Sequence, residues 1–270
     1  MKTSVNPSSR RTTAAHALAA EHAAAGTKSL GRGLALLRLV SSAGPGGLKV
    51  SEIAMRSGLH VATAHRQLAA LTREGFIAQD TATRSYMAGP ELLAMAFQAQ
   101  HRYGLDSAIL PVLERLAELT GDVVYATTRA GDEAVCLARR EGSFPIRAMA
   151  IGPGTRRPLG VGAGSLAILA FLPMEEAVAV IDRNAEAYLG YGQTSELIKA
   201  RVARARRDGF ALNDGEVIPG MAAVALPVPS AGGRPFIAIS VGAIQMRMDR
   251  TRQQEIVTLL RREMADFPVA

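Results

Sequence analysis

The sequence predicts an α+β protein built from two domains. Its 270 residues exceed the length of one average domain, and 48% of them are hydrophobic, which is enough to fill two cores. Apolar residues recur mainly at helical spacing up to about residue 103, and short strand-like runs alternate irregularly with helices after Gly104. This mixture favours an α+β sheet domain in the second part over a regular βαβ repeat.

The excess positive charge lies entirely in the first part. Residues 1–103 carry 12 Lys and Arg against 5 Asp and Glu, whereas residues 104–270 carry 19 of each. A basic part joined to a neutral one indicates a polyanion-binding module, although a membrane-surface contact would also produce it. The charge therefore needs a structural motif to interpret it.

The N-terminal part begins with a tail rich in Ala, Ser and Thr. We expect residues 1–26 to be flexible, and we favour a solvated extension over an arm that reaches DNA. A first helix follows, and it ends before Gly44-Pro45. Its predicted apolar stripe is Leu30, Leu34, Leu37 and Val40.

Two further helices and a hairpin complete this part. Helices are expected at residues 51–57 and 61–74, and the second of them has Val61, Ala64, Leu68 and Leu71 on its apolar face. Residues 76–78 and 86–87 flank a polar stretch, which predicts a β-hairpin with Arg84 at its tip. Three helices and a hairpin predict a winged helix-turn-helix over residues 27–90. The same helices would also suit a protein-contact module, but the charge favours DNA.

The outward face of the third helix supplies the candidate DNA contacts. Arg66 suits guanine and Gln67 suits adenine, while Thr63 suits a phosphate oxygen or a thymine methyl group. Ala62 is small enough for the backbone to approach the groove. Other basic residues that we expect to contact the DNA backbone or the minor groove are Arg84, Lys49 and Arg56.

Residues 91–104 are expected to form a linker helix, and residues 105–270 the second domain. Helices are expected at residues 105–120, with Ile109, Leu113, Leu116 and Leu119 inside, and at 165–171, 174–182, 195–208 and 249–266. Strands are expected at residues 123–128, 134–139, 146–151, 210–212, 222–227 and 236–241.

Sequence features argue against an enzyme. All five histidines precede residue 104 and Cys136 is the only cysteine, so the second domain has neither a Ser-His-Asp triad nor the usual transition-metal ligands. Residues 160–165 resemble a dinucleotide loop, but Ser165 occupies the third-glycine position. We expect no catalytic residues, no cofactor and no metal. Without a signal peptide or an apolar run of 18 residues, we expect a soluble cytoplasmic protein with no membrane partner.

Specific segments resemble the IclR family of regulators. They are SLGRGL at 29–34, SEIA at 51–54 and GLHVATAHR at 58–66. The family shows Gly-Leu-x-x-Ser-Thr-x-x-Arg at the third helix. Thr63 and Arg66 match this pattern, whereas Ala62 replaces the small hydroxyl residue and Val61 replaces a position that is often basic or polar.

The resemblance continues through the second part, so it covers about 240 residues. The matching segments are PLGVGAGSLAILA at 158–170, GFALNDGE at 209–216, PGMAAVA at 219–225 and AISV at 238–241. The resemblance implies a GAF-like domain that binds a small organic or aromatic acid. It also implies homodimers, or dimers of dimers, on double-stranded DNA, and we expect a palindromic operator. The family's effector pocket maps onto Ala163, Gly164, Asn213, Asp214, Ala223 and Ser240.

The residues themselves partly support an acid-binding pocket. Gly160, Gly162 and Gly164 lead into a predicted helix, whose free backbone N–H groups would favour a carboxylate. These glycines would equally permit tight packing alone. Two other functions remain open at this point: a metabolite-binding enzyme with a vestigial helix-turn-helix, and a DNA-binding protein that needs no effector.

Overall fold

The structure is a computed structural model that describes residues 27–102, 105–146, 150–228, 235–265 and 267. The chain divides into two compact units, one that ends at Ala99 and one that starts at Gln100. The predicted tail, residues 1–26, lies outside the described residues. Within the described ranges, none of the helices combines the length and the apolar character needed to cross a membrane.

The N-terminal unit is a winged helix-turn-helix, as predicted. Helix α1 covers residues 27–41 of the described chain. It is followed by α2 (Val50–Ser57), α3 (Val61–Arg73), β1 (Ile77–Gln79), β2 (Tyr86–Ala88) and α4 (Pro90–Arg102). Strands β1 and β2 pair antiparallel and form the wing. The buried core of this unit consists of Leu36, Val40, Leu48, Ile53, Leu68, Ile77 and Tyr86.

The predicted apolar stripe of α1 is wrong in its first half. Leu30 and Leu34 are 65% and 42% exposed, whereas Leu36 and Val40 are buried. Leucines occur on several faces of this helix, so the periodicity allowed more than one buried face. Val61, which was expected inside, is 48% exposed because it begins α3 at the surface.

The second unit contains a six-stranded antiparallel sheet and helices. Its helices are a π-helical turn (Leu105–Ile109), α5 (Leu110–Thr120), α6 (Ala163–Ala170), α7 (Met174–Arg183), α8 (Ala185–Leu189), α9 (Ser195–Asp208), a 3₁₀ turn (Gln245–Arg247) and α10 (Arg250–Glu263). Its strands are β3 (Val123–Ala130), β4 (Glu133–Arg140), β5 (Arg156–Pro158), β6 (Ala211–Asp214), β7 (Met221–Pro227) and β8 (Ile237–Ile244), in the order β5-β4-β3-β8-β7-β6.

Helices cover both faces of this sheet, which confirms the predicted α+β class. Alternation along β8 shows how the two faces differ: Ile239 and Val241 pack with α5 and α10, whereas Ala238 belongs to the cluster around α6. Small residues on the second face let α6 lie close to the strands. Gly164 of α6 illustrates this, because a Cβ added there would lie 2.9 Å from the Thr127 hydroxyl oxygen.

Three details of the second unit differ from the sequence expectation. Leu119, expected inside, is 51% exposed. Among the described residues of 146–151, none lies in a strand, and residues 147–149 lie outside the described chain. Strand β5 was not predicted, because it has only three residues and two of them are arginines. Such a short polar strand carries no hydrophobic periodicity to detect.

Candidate functional site

Helix α3 presents its polar residues on the side opposite its buried Ala64 and Leu68. His60 caps the helix, and its Nδ1 accepts a hydrogen bond from the Ala62 N–H at 3.4 Å. Ala62 and Arg66 are exposed, whereas Thr63 and Gln67 are half-buried. Of the predicted base contacts Arg66 and Gln67, Arg66 is therefore the exposed one.

Gln67 is turned partly toward the core of the N-terminal unit. Its Oε1 atom is buried and has no hydrogen-bond partner among the described residues. A buried acceptor without a partner is energetically costly. Gln67 is therefore less accessible to DNA than Arg66.

The wing tip is held by local hydrogen bonds around Asp80. Its Oδ1 accepts from the Thr83 N–H at 2.6 Å and from the Thr83 hydroxyl at 2.9 Å, and these bonds hold the pKa of Asp80 below its usual value. Arg84 follows with φ +60, a left-handed conformation, and its side chain is exposed. The remaining basic candidates, Lys49 and Arg56, are exposed at the two ends of α2.

A cavity lies between the start of α6 and the sheet in the second unit. Its volume is about 70 Å³, several times what one water molecule needs. Its lining includes five of the six predicted effector residues, namely Ala163, Gly164, Asn213, Ala223 and Ser240. Asp214 is not among the lining residues. It is exposed, and its Oδ1 accepts a hydrogen bond from Gln245 Nε2 at 2.9 Å.

Several lining residues escaped the sequence analysis: Tyr125, Thr127, Cys136 and Arg157. The sheet brings them together, because β5, β4 and β3 are neighbours in it and all three strands contribute to one wall of the cavity. Arg157 on β5 pairs in register with Ala134, whose side chain packs in the cluster around α6. Paired residues of neighbouring strands point to the same side of a sheet, so Arg157 faces the cavity.

Arg157 supplies the positive charge of the cavity lining. Its Nη2 donates to the Ala150 carbonyl oxygen at 3.1 Å, and none of the lining residues in the described chain is an Asp or Glu. Burial lowers the pKa of Arg157, but an arginine stays protonated in a protein. Burial also raises the pKa of Cys136 to about 11 and raises that of Tyr125, so both groups are uncharged at neutral pH.

The segment that enters α6 is fixed by side-chain hydrogen bonds. Ser165 Oγ accepts from the Gly160 N–H at 2.7 Å, and the Tyr188 hydroxyl donates to the Leu159 carbonyl at 2.6 Å. Gly162 precedes the helix with φ +93 and provides no side-chain cap. The first N–H groups of α6 therefore have no side-chain cap, and the positive dipole end of a helix favours an anion.

Comparison with known proteins decides the family. Residues 97–267 match the family model described as "Bacterial transcriptional regulator IclR C-terminal". Residues 29–81 match the one described as "IclR helix-turn-helix domain". The chain belongs to the IclR family. The resemblance seen in the sequence is thereby confirmed.

Individual IclR-family proteins extend this result. The chain is 30% identical over 230 residues to the HTH-type transcriptional regulator BhcR of Paracoccus denitrificans, covering 84% of this chain and 81% of BhcR. A crystal structure of an IclR-family regulator from Alicyclobacillus acidocaldarius superposes with a TM-score of 0.75 at 24% identity, covering 88% of this chain and 96% of that one. A Microbacterium hydrocarbonoxydans homologue complexed with 4-hydroxybenzoate has a TM-score of 0.69 at 20% identity, with 88% and 96% covered.

These matches establish the general activity. The chain is a DNA-binding transcriptional regulator rather than an enzyme, as the sequence predicted, because its curated relatives are named as regulators and repressors. The described residues contain no cluster of His, Cys, Asp or Glu that could hold a metal ion. The remaining questions concern which residues contact DNA and what the cavity binds.

Proposed function

We propose that this IclR-family regulator is controlled by a small organic or aromatic acid that binds the cavity of its GAF-like second domain. The observation that carries the proposal is that Arg157 and the uncapped start of α6 are neighbours in the cavity lining. Both features attract an anion, and the lining around them is mostly apolar. A carboxylate on a small apolar body fits this combination.

A structural relative supports the same ligand class. The Microbacterium hydrocarbonoxydans homologue was crystallised with 4-hydroxybenzoate, which is a carboxylate on an aromatic ring. The present cavity offers features suited to such a molecule: cationic Arg157, a helix N-terminus and small residues such as Ala163 and Ala223. We propose that Asp214 is peripheral to effector binding.

We further propose that two copies bind a palindromic operator. In each copy, Arg66 and Thr63 read bases, Gln67 and Ala62 lie at the groove, and Arg84, Lys49 and Arg56 hold the phosphates. Exposed apolar residues within the N-terminal unit support pairing with a second copy, since their burial would stabilise a dimer. They include Leu30, Leu34, Leu93 and Met95. A dimer of such dimers, acting in the cytoplasm, would bind two operators.

Footprinting on the intergenic DNA beside the gene of this protein tests the DNA part of the proposal. The expected result is a protected pseudo-palindrome. Thermal-shift measurements against a broad panel of organic and aromatic acids test the effector part, because a ligand that binds only the folded state raises the melting temperature. Protection without any stabilising acid would instead favour a DNA-binding protein that needs no effector.

A further inference from the structure

We propose that Arg157 binds the carboxylate of the effector and thereby makes the cavity selective for anionic ligands. This inference rests on the effector binding proposed above, and it assigns the recognition of charge to one residue. The residue lies outside the segments by which the sequence resembles the IclR family. Its role follows from its position on β5 and from the charges around it.

The guanidinium of Arg157 lies beside the start of α6. A Cβ added to Gly162 would lie 3.7 Å from Arg157 Nη1, so the guanidinium is next to the residue that precedes α6. The other terminal nitrogen, Nη2, donates to the Ala150 carbonyl oxygen. A cationic group and the positive end of a helix dipole thus lie side by side, and an anion between them would be attracted by both.

Arg157 has no carboxylate counter-ion in the described part of the chain. No ion pair of Arg157 occurs among the described residues, although its side chain is half-buried. Buried charges are normally paired, because removal from water is costly without a partner. A ligand carboxylate would supply this partner and would accept two parallel hydrogen bonds from the planar guanidinium.

Asn213 also lines the cavity. Asn213 is only 9% exposed, and its Oδ1 atom is buried without a partner in the described chain. An unsatisfied buried amide indicates that the cavity is built for a ligand with a polar group in addition to its carboxylate. A hydroxyl group, which can donate to this oxygen, fits the requirement. The chemical class is therefore a small hydroxy acid.

Arg156 provides a matched control one residue away. Its Nε and Nη2 atoms donate to Glu133 Oε2 at 2.9 Å and 2.7 Å, and it is absent from the cavity lining. Arg156 and Arg157 share strand β5, so their substitutions disturb the same backbone. Only Arg157 lacks a carboxylate partner, and only Arg157 should affect acid binding.

Calorimetry on the full-length protein tests the proposal with three probes: 4-hydroxybenzoate, its neutral analogue 4-hydroxybenzamide, and glycolate. The wild type should bind at least one of the acids, and should bind 4-hydroxybenzoate at least tenfold more tightly than the amide. Arg157→Gln should weaken acid binding about 10- to 100-fold and leave amide binding unchanged, as expected for a charge-assisted hydrogen bond. Arg157→Lys should retain part of the affinity, and Arg156→Gln all of it.

Two results would overturn the assignment of Arg157. If Arg157→Gln bound the acid with wild-type affinity, Arg157 would not recognise the carboxylate, but the effector proposal would stand. Equal binding of the acid and the amide by the wild type would show that the cavity does not recognise charge. If the wild type bound neither these acids nor any other acid of a broad panel, the effector proposal and this inference would fail together. Circular dichroism and operator binding of each variant separate lost folding from lost recognition.

Discussion

At the scale of single residues, Arg66 is the residue whose loss we expect to weaken specific DNA binding most directly. It is exposed on α3, and its guanidinium is suited to two hydrogen bonds with a guanine. We expect Arg66→Ala to cost about 1–3 kcal/mol of specific binding and to relax the preference at one operator position. Competition binding with a set of single-base operator variants measures both effects.

Arg56→Ala is the matched control for Arg66→Ala. Arg56 is also exposed, but it lies in the last turn of α2, where we expect a phosphate contact. Its loss should weaken binding to all sequences by a similar factor and reduce the salt dependence of the affinity. If Arg66→Ala behaved in the same sequence-independent way, Arg66 would be a phosphate contact and not a base contact.

The family resemblance placed Ala163, Gly164 and Ser240 in one effector pocket, and in the structure these three residues line one cavity. Their contact with an effector stays a prediction. Arg157 was missed because its importance depends on the register of β5 against β4, which is a long-range property. In the structure Thr155 and Arg157 line the cavity and Arg156 does not, but the sequence does not reveal this alternation because all three residues are polar.

At the scale of elements, a buried ionic cluster joins the start of β3 to α10. Asp122 has a side chain that is only 2% exposed, and it lies 3.1 Å from Arg247 Nε and 3.4 Å from Arg252 Nη2. The Arg252 Nη2 also donates to the Thr120 carbonyl oxygen at 2.7 Å, and the Arg247 guanidinium stacks 3.8 Å from the Phe144 ring centroid. Asp122 is therefore a buried carboxylate shared by two partly exposed arginines, of which Arg252 also pairs with Glu255 at 3.1 Å.

We expect Asp122→Ala to destabilise the second unit by about 1–3 kcal/mol, because the buried carboxylate and its hydrogen bonds from Arg247 and Arg252 are lost. Urea unfolding followed by circular dichroism measures the change. Asp182→Ala is the control, since Asp182 is 60% exposed and makes a single contact of 3.4 Å with Lys199. Similar free energies of unfolding for both variants would contradict the structural role of Asp122.

Helix α6 supplies a second element-scale prediction through Gly164. Its backbone is helical, but an added Cβ would lie 2.9 Å from Thr127 Oγ1, so Gly164→Ala must displace α6 or Thr127. We expect weaker effector binding with little loss of DNA binding, because the cavity wall moves. Calorimetry with the best acid of the panel measures the affinity.

The double variant Gly164→Ala/Thr127→Ala tests the cause of that loss. It removes the hydroxyl in closest approach and should restore part of the acid affinity. Gly190→Ala is a control at the end of α8, where the nearest atom to an added Cβ is 3.5 Å away. No difference between Gly164→Ala and Gly190→Ala would show that the close contact of α6 with β3 does not shape the cavity.

Element types were largely predictable, and element faces were predictable in part. The helix expected at residues 195–208 coincides with α9, and the strand expected at 236–241 overlaps β8. The inward faces expected for α3 and α5 were right at Leu68 and Leu113. The buried face of α1 was wrong because Leu30 and Leu34 meet no core of their own unit. Periodicity identifies a helix, but which apolar face is buried depends on tertiary or quaternary packing.

At the scale of the whole molecule, stability should fall at acid pH. Hydrogen bonds from Arg183 hold the pKa of Asp132 below its usual value, and those from Arg115 do the same for Glu263. A lowered folded-state pKa gives stability that is present above the unfolded-state pKa, near 3.8 and 4.5, and is lost as the pH falls through the folded-state value. Melting temperatures should therefore decline below about pH 4.5.

The variant Asp132→Asn/Glu263→Gln tests this origin of the acid sensitivity. At pH 7 it should melt at a lower temperature than the wild type, since both ion pairs are lost. The difference should shrink as the pH falls toward 3, where the wild-type carboxylates become protonated as well. A difference that stayed constant from pH 7 to pH 3 would assign the stabilisation to packing and not to charge.

We propose that an acid bound in the second domain changes DNA binding by the first. Such coupling requires that the acid bind with different affinity to the DNA-bound and DNA-free protein. The direct measurement is a gel-shift titration of the footprinted operator, with and without the best-binding acid, for the wild type, Arg157→Gln and Arg156→Gln. We predict an acid-dependent shift in operator affinity for the wild type and Arg156→Gln, and none for Arg157→Gln at the same acid concentration. An operator affinity that the acid leaves unchanged in the wild type, or changes equally in Arg157→Gln, would contradict this proposal.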